Sequence, residues 1–244
     1  ALEKKKIMKI ALITGGSKGL GESLVKKYQD NNYQTLEFSR SGISENNIKC
    51  DLSDQKAFPD VFNRALIDVK KLNPSEILLI NNAGTIDPIG PISEFNTEDW
   101  VNHININFTS VVITTGLFIK HFQTVACTKS IGFISSGAAL RPKYGWSLYC
   151  ASKAGIEQFC ITVSIEQQSQ ANPIYCAIID PDIIDTEMQF KIRETQETLF
   201  PESQRFKSFK NDGLLRGPDS VADIVFTILS NPIDSTHRHS IDEI

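Results

Sequence analysis

The sequence has no long apolar run and no marked excess of charge of one sign. In 244 residues, 25 Lys and Arg are set against 29 Asp and Glu, so the formal net charge is -4. Without 18 consecutive apolar residues we predict no membrane-spanning helix and no membrane partner. Basic residues cluster only in "EKKK" near the start, so a nucleic-acid partner is not predicted either.

Cysteine and histidine are scarce, and neither has the spacing of a metal site. The five cysteines are an odd number at irregular intervals, and the four histidines pair with no Cys or carboxylate at ligand spacing. We therefore predict no metal. No signal-peptide core follows the charged start, which favours a cytoplasmic protein with reduced thiols. We interpret residues 1–7 as a disordered N-terminal extension, with Met8 as a candidate native start.

Short apolar runs alternate with segments of helical period along most of the chain. Strands are predicted at 9–14, 33–39, 76–84, 130–136 and 173–180, and helices at 19–31, 53–72, 96–122, 148–170 and 217–230. Apolar strands alternating with helices of ten or more residues indicate right-handed crossovers. The predicted fold is a single α/β domain over residues 1–244, a Rossmann fold with a doubly wound parallel sheet and helices on both faces.

The helical period fails between residues 182 and 216, where charged residues, Gln and Phe mix without a strand. We interpret this segment as a mobile substrate loop or lid with some helix. The final "HSIDEI" predicts a brief last strand.

A glycine-rich turn, "TGGSKGLG", joins the first strand to the first helix. At Gly15, Gly19 and Gly21 no side chain covers the backbone N–H groups next to a helix N-terminus. This arrangement binds a pyrophosphate. The spacing is G-x-x-x-G-x-G, which differs from the G-x-G-x-x-G fingerprint. The alternative is a structural turn whose glycines only supply positive φ angles.

The second predicted strand ends in "FSR", where an NAD-binding protein carries an acid for the ribose hydroxyls. Arg40 can pair with a 2′-phosphate, and Lys18 adds a second positive charge, so NADP(H) is the favoured cofactor. Plain surface charge is the alternative for either base. Glu37, two residues before Ser39, is the one reservation about this choice of cofactor. An NAD-dependent dehydrogenase that runs in the oxidative direction is a further alternative, and it turns on Arg40 and Lys18.

"YCASK" places Tyr149 and Lys153 four residues apart on one helix face, a spacing that alone is weak evidence. Hydride transfer to a carbonyl needs a positioned proton donor. A lysine charge about 4 Å away, at an effective dielectric of about 20, lowers a tyrosine pKa by roughly three units. Ser136 can donate to the substrate oxygen, and Asn107 can bind a water that links Lys153 to solvent. The alternatives are a strand-end turn residue for Ser136 and a satisfied buried amide for Asn107.

Several motifs together resemble the short-chain dehydrogenase/reductase family, and the resemblance covers nearly the whole chain. They are "TGGSKGLG", "NNAG" at 81–84, Asn107 seven residues after Trp100, "ISS" ending at Ser136, and "YCASK" thirteen residues further on. Within the family, "GWSLYCASKAG", "DTEMQ" and "IDE" are most similar to sepiapterin reductases and bacterial benzil reductases. The family usually has Pro-Gly where this chain has Pro181 and Asp182, which puts the geometry of that loop in question.

The resemblance implies a catalytic tetrad of Asn107, Ser136, Tyr149 and Lys153. It also implies that Asp51 contacts adenine and that Ile184 and Thr186 hold the nicotinamide amide. The full set of expected cofactor-binding residues is Gly15, Ser17, Lys18, Gly19, Leu20, Gly21, Ser39, Arg40, Asp51, Leu52, Asn81, Ala83, Gly84, Tyr149, Lys153, Pro181, Ile184 and Thr186.

The implied activity is NADPH-dependent reduction of a small ketone, diketone or pterin side-chain carbonyl by a homodimer or homotetramer. A catalytically silent NADP-binding sensor or scaffold is the alternative. Trp146, Met188 and Gln189 are candidates for the substrate pocket, and Asp242 corresponds to the carboxylate that anchors pterin in sepiapterin reductase. Core packing or a dimer contact for Trp146, and an exposed C-terminal acid for Asp242, are the alternatives.

Overall fold

One parallel sheet organises the described part of the chain. The computed structural model describes residues 8–230 and 238–241, and within them seven strands pair in the order β3-β2-β1-β4-β5-β6-β7. The strands are β1 (Lys9–Thr14), β2 (Tyr33–Ser39), β3 (Asn47–Lys49), β4 (Glu76–Asn81), β5 (Thr128–Ile134), β6 (Tyr175–Asp180) and β7 (Arg238–Ser240). The sequence prediction missed only the short β3 and placed β7 one residue late.

Helices cover both faces of this sheet. They are α1 (Gly19–Asp30), α2 (Phe58–Lys71), α3 (Thr97–Ile104), α4 (Ser110–Phe122), α5 (Ser147–Gln168), α6 (Glu187–Glu194), α7 (Ser203–Asn211) and α8 (Pro218–Ser230). None of the helices in the described residues is long and apolar enough to cross a bilayer.

Alternate side chains of the central strands fill two separate cores. Ile10 and Leu12 of β1 pack in the core that includes Phe62 of α2, whereas Ala11 and Ile13 pack in the core that includes Leu24 of α1. Successive strand residues point to opposite faces, and both faces here are buried, so the strands are apolar without interruption. The predicted doubly wound Rossmann fold is confirmed.

The predicted helix over 96–122 is interrupted near its middle. Asn96 caps α3 by accepting hydrogen bonds from the backbone N–H groups of Glu98 and Asp99, but residues Asn105–Thr109 form a π-helical turn before α4 begins. Such turns widen a helix locally and are frequent at functional sites. Asn107 lies in the centre of this one.

The segment between residues 182 and 216, predicted as a substrate loop or lid with some helix, does contain helix. The segment contains α6 and α7, and Ile192, Phe200 and Phe206 pack with Trp146 in a third apolar cluster. The Trp146 and Phe200 rings are stacked, with centroids 5.0 Å apart. Contacts with residues far away in the sequence order this segment, so its own periodicity gives little sign of them.

Candidate active site

A cavity of about 630 Å³ lies at the carboxyl ends of the central strands. β1 pairs with β2 on one side and with β4 on the other, so the strand order reverses at this point. Ligands of open parallel sheets bind in the crevice formed at such a reversal. The cavity runs from the glycine turn after β1 to Trp146 before α5.

The glycine turn packs too closely for side chains at its key positions. Gly15 and Gly19 have φ angles of +68° and +57°, which disfavour residues with a Cβ. A Cβ on Gly15 would lie 2.9 Å from Ala83 Cα, and one on Gly21 would overlap the Gly15 carbonyl oxygen. The turn therefore brings bare backbone and the start of α1 to the cavity wall, which fits the pyrophosphate of a dinucleotide.

Lys18 and Arg40 line the end of the cavity nearest β2, together with Ser39 and Asp51. Lys18 forms an ion pair with Glu187 across the cavity, and an Arg40 nitrogen lies 3.8 Å from an Asp51 carboxylate oxygen. Both pairs are largely exposed. Exposed pairs contribute little free energy, so a bound anion can compete for either base.

The Glu37 carboxylate is buried and internally satisfied. It accepts hydrogen bonds from Ser39 Oγ at 2.6 Å and from Asn47 Nδ2 at 2.8 and 3.0 Å. Glu37 is not among the residues that line the cavity. The Glu37 carboxylate therefore lies outside the cavity, behind the residues that line this end.

Nearly all of the expected cofactor-binding residues line the cavity, but Asn81 does not. Its buried side chain accepts a hydrogen bond from Thr114 Oγ1 at 2.7 Å and lies 3.2 Å from Thr115 Oγ1, which fixes β4 to α4. Asn82 lines the cavity in its place and donates to the Thr14 and Gly15 carbonyls. Because successive strand residues alternate in direction, adjacent asparagines face opposite ways.

Ser136, Tyr149 and Lys153 converge on the middle of the cavity. Ser136 follows β5, while Tyr149 and Lys153 lie on the first turns of α5 and are nearly fully buried. The Ser136 and Tyr149 side chains are hydrogen-bonded. Lys153 Nζ donates to the Ile134 carbonyl at 2.7 Å and lies 5.7 Å from the centre of the Tyr149 ring.

The pKa values of Tyr149 and Lys153 move in opposite directions. Burial raises the pKa of Tyr149 to about 12, and the hydrogen bond with Ser136 only partly opposes this shift. Burial lowers the pKa of Lys153 to about 8, although the Asp180 and Glu157 charges act to raise it. The expected lowering of the Tyr149 pKa by Lys153 is therefore not seen here, because burial of the phenol dominates and raises its pKa.

Asn107 lies behind this group and does not line the cavity. Its Oδ1 accepts from the Thr85 backbone N–H at 2.7 Å, and its Nδ2 donates to the Thr85 carbonyl at 2.7 Å. A Cβ on Gly84 would lie 3.2 Å from Asn107 Oδ1 and 3.9 Å from Lys153 Nζ. The Asn107 side chain therefore holds the loop after β4 beside Lys153.

Sequence reasoning missed His103, which completes this network. His103 is buried, and its Nδ1 lies 2.7 Å from the Asp87 carbonyl, to which it donates. Its Nε2 lies 2.7 Å from Asn107 Nδ2 and accepts that N–H. Burial lowers the pKa of His103. The available signal was its position four residues before Asn107, on the same helix face.

The segment after β6 forms the wall opposite the glycine turn. Pro181, Ile184 and Thr186 line the cavity, and the Thr186 side chain caps α6 by accepting from the Gln189 N–H. Asp182 has a φ of +58°, as the glycine of the family pattern would allow. Its carboxylate lies 3.7 Å from Arg216 Nε, so the unusual acid is paired with a base from the start of α8.

Trp146, Met188 and Gln189, the candidates for a substrate pocket, all line the cavity. Trp146 also belongs to the apolar cluster with Phe200, and its ring centroid lies 5.6 Å from that of Tyr149. Asp242 lies outside the described residues. In residues 8–230 and 238–241, no group of three His, Cys, Asp or Glu is arranged to hold a metal ion.

Comparison with known proteins agrees with this geometry. Residues 9–197 match the short chain dehydrogenase family. Benzil reductase ((S)-benzoin forming) of Bacillus cereus is 33% identical over 91% of this chain and 94% of its own, and that of Bacillus subtilis (strain 168) is 32% identical over 97% and 99%. Sepiapterin reductase of Meriones unguiculatus is more distant, at 27% identity over 84% of this chain and 85% of its own.

Solved structures share the fold. The KRED1-Pglu enzyme superposes with a TM-score of 0.82 at 22% identity, over 95% of this chain and 100% of its own. ElxO with NADP bound superposes with a TM-score of 0.76 at 24% identity, over 96% and 97%. The fold, the cavity at the strand reversal and the match over residues 9–197 lead to one conclusion: the chain belongs to the short chain dehydrogenase family of oxidoreductases and is similar to benzil reductases.

Proposed function

We propose that the protein is an NADPH-dependent reductase of small carbonyl compounds, with diketones such as benzil as the leading substrate class. The observation that carries this proposal is the shared cavity: the glycine turn and the Ser136, Tyr149 and Lys153 side chains line one space. A hydride donor at the strand reversal and a proton donor on α5 can therefore reach the same carbonyl. The similarity to benzil reductases over most of the chain supports the substrate class.

Each residue of the tetrad has a distinct task in this proposal. A bound nicotinamide cofactor supplies the hydride to the carbonyl carbon. Tyr149 donates its proton to the carbonyl oxygen, and Ser136 orients that oxygen by a hydrogen bond. Lys153 stabilises the phenolate that remains, because its Nζ lies 5.7 Å from the centre of the Tyr149 ring. Asn107 keeps the Thr85 backbone in place beside Lys153.

The phenol is well suited to act as an acid in this state. A pKa of about 12 keeps Tyr149 protonated throughout the neutral range. The burial that raises this pKa also keeps water away from the reacting oxygen. Proton donation then depends on positive charge close to the phenolate, which Lys153 provides from 5.7 Å away from the centre of the ring.

NADPH is favoured over NADH by the charges at the β2 end of the cavity. Lys18 and Arg40 line it, while the Glu37 carboxylate is bonded to Ser39 and Asn47 beneath it. Replacing Arg40 with Ala is expected to weaken NADPH binding about tenfold and to leave NADH binding within about twofold. Fluorescence titration with both cofactors measures this, and an equal loss for the two would argue against a phosphate contact.

We also propose one cytoplasmic domain that assembles as a homodimer or homotetramer. Val101 on α3 and Ile165 on α5 are more than half exposed, although both belong to helices that otherwise pack on the core. Exposed apolar side chains on neighbouring helices favour a contact between copies.

The test is NADPH oxidation, followed at the nicotinamide absorbance, with benzil, sepiapterin, isatin and simple aliphatic ketones. We expect turnover of at least one dicarbonyl, faster with NADPH than with NADH. Tight NADPH binding with no turnover across this panel would instead favour a cofactor-binding sensor.

A further inference from the structure

Three basic side chains line the substrate end of the cavity, beyond Tyr149. They are Arg141 and Lys143, from the segment between Ser136 and α5, and Arg205 of α7. One glutamate offsets two of them: Glu202 Oε2 lies 2.7 Å from Lys143 Nζ and 3.5 Å from an Arg205 nitrogen. At this end of the cavity the three basic side chains therefore outnumber the one acidic side chain that pairs with them.

The acids that line the neighbouring wall have their own basic partners. Asp182 pairs with Arg216, and Glu187 pairs with Lys18. Within residues 8–230 and 238–241, the Arg141 guanidinium has neither an ion pair nor a hydrogen bond to any side chain. A cation that lines a cavity without an internal partner can pair with an anion from outside at little cost.

Aromatic side chains line the same end of the cavity. Trp146, Phe206 and Phe209 belong to its wall.

Arg141 lies on the short segment of backbone between Ser136 and Tyr149. The Arg141 N–H donates to the Gly137 carbonyl at 3.1 Å, which ties Arg141 to the turn that follows Ser136. The Arg141 backbone is therefore held close to the catalytic group, and its side chain lines the same cavity.

From these observations we propose that the substrate end binds a carboxylate on the carbonyl substrate, with Arg141 as the ion-pair partner. A single unpaired guanidinium matches a singly charged anion, and the aromatic side chains of Trp146, Phe206 and Phe209 suit an aryl group between the carbonyl and that anion. This inference rests on the proposed reductase function. It narrows the substrate class to aryl carbonyl acids.

The test compares 4-carboxybenzil with its methyl ester, a pair that differs in charge and keeps the reacting dicarbonyl. We expect kcat/KM for the acid to exceed that for the ester by about fivefold or more at low ionic strength. The preference should shrink as salt is raised, because exposed charges are screened. A ratio of kcat/KM for the acid to kcat/KM for the ester of one or below would overturn the proposal.

Variants of single residues test where the carboxylate of the substrate binds. Replacing Arg141 with Gln removes the charge at similar length and should lower the acid-to-ester ratio about fivefold, whereas Arg141→Lys should retain part of it. The matched control is Arg64→Gln, an exposed arginine on α2 that does not line the cavity. An unchanged ratio in Arg141→Gln, or an equal fall in the control, would contradict the proposal.

The two hypotheses fail in different ways. Turnover of both compounds without a preference for the acid removes only the carboxylate site. Absence of turnover of either compound, with NADPH still bound, removes the reductase function instead.

Discussion

The two ends of the cavity are built in different ways. The cofactor end is made of backbone: glycines with positive φ, the start of α1 and the carboxyl ends of β1 and β4. The substrate end is made of side chains from α6, α7 and the segments that precede α5 and α7, in which stacked rings and shared ion pairs set the shape. Backbone suits a cofactor that is the same in every turnover, whereas side chains allow substrate preference to change by substitution.

A large loss of activity is expected from Lys153, which lies between the two ends. Lys153→Met removes the cation beside Tyr149 and should lower kcat by about 100- to 1000-fold, in the range for loss of acid–base assistance. The NADPH oxidation assay measures this. A loss below about tenfold would mean that the lysine charge is dispensable.

The same residue sets a pH limit in the wild-type protein. Because the pKa of Lys153 is lowered to about 8, the side chain is charged below that pH and neutral above it. We expect kcat/KM for carbonyl reduction to fall as the pH rises through about 8, and Lys153→Met to lack this fall. The pH profile from 6 to 10 tests it, and an activity that rises above pH 8 would be inconsistent with a charged lysine.

A smaller effect is expected from crowding the cofactor end. Gly21→Ala would place a methyl against the Gly15 carbonyl oxygen and 2.7 Å from Asn82 Nδ2. We expect a loss of about 1–3 kcal/mol in the free energy of unfolding and a clear rise in the NADPH dissociation constant. Urea unfolding and fluorescence titration give the two numbers.

Gly116→Ala is the matched control, because a methyl there meets nothing within 4 Å. Gly116 lies within α4, so alanine should stabilise the protein by roughly 0.5–1 kcal/mol. Equal behaviour of the two variants would show that packing at the glycine turn is not the constraint.

The smallest effect concerns the support behind Tyr149 and Lys153. His103→Leu removes the acceptor for Asn107 and the donor to the Asp87 carbonyl, and should cost about 1–2 kcal/mol at pH 7.5. Because burial lowers the pKa of His103, the unfolded chain binds more protons near pH 6, and wild-type stability falls as the pH drops below about 6.5.

The leucine variant lacks this dependence, so the gap between the two proteins should narrow at acid pH. Unfolding in urea at pH 5.5 and 7.5 measures it. A gap of the same size at both pH values would show that the His103 ring does not titrate differently in the folded state.

The cofactor end could be predicted from the sequence because its signals are local. "TGGSKGLG" lies between an apolar strand and a helix, and glycine at 15 and 19 meets a backbone requirement that neighbouring residues create. Family resemblance extended this to most of the cavity wall. Asn81 was the exception, because the motif "NNAG" does not indicate whether Asn81 or Asn82 faces the cavity.

The substrate end could not be predicted to the same depth. The order of α6 and α7 depends on rings that meet Trp146 from 54 and 60 residues away, at Phe200 and Phe206. The π-helical turn at Asn107 depends on Thr85, 22 residues earlier. The raised pKa of Tyr149 depends on burial, which no spacing along the chain reveals.

The measurement that tests the central claim most directly is the kinetics of Tyr149→Phe with NADPH and benzil, alongside its NADPH dissociation constant. The account predicts a fall in kcat of about 1000-fold, with the dissociation constant within about threefold of wild type, since the ring remains and only the proton donor is lost. Retention of more than a tenth of wild-type kcat would contradict the assignment of Tyr149 as the proton donor.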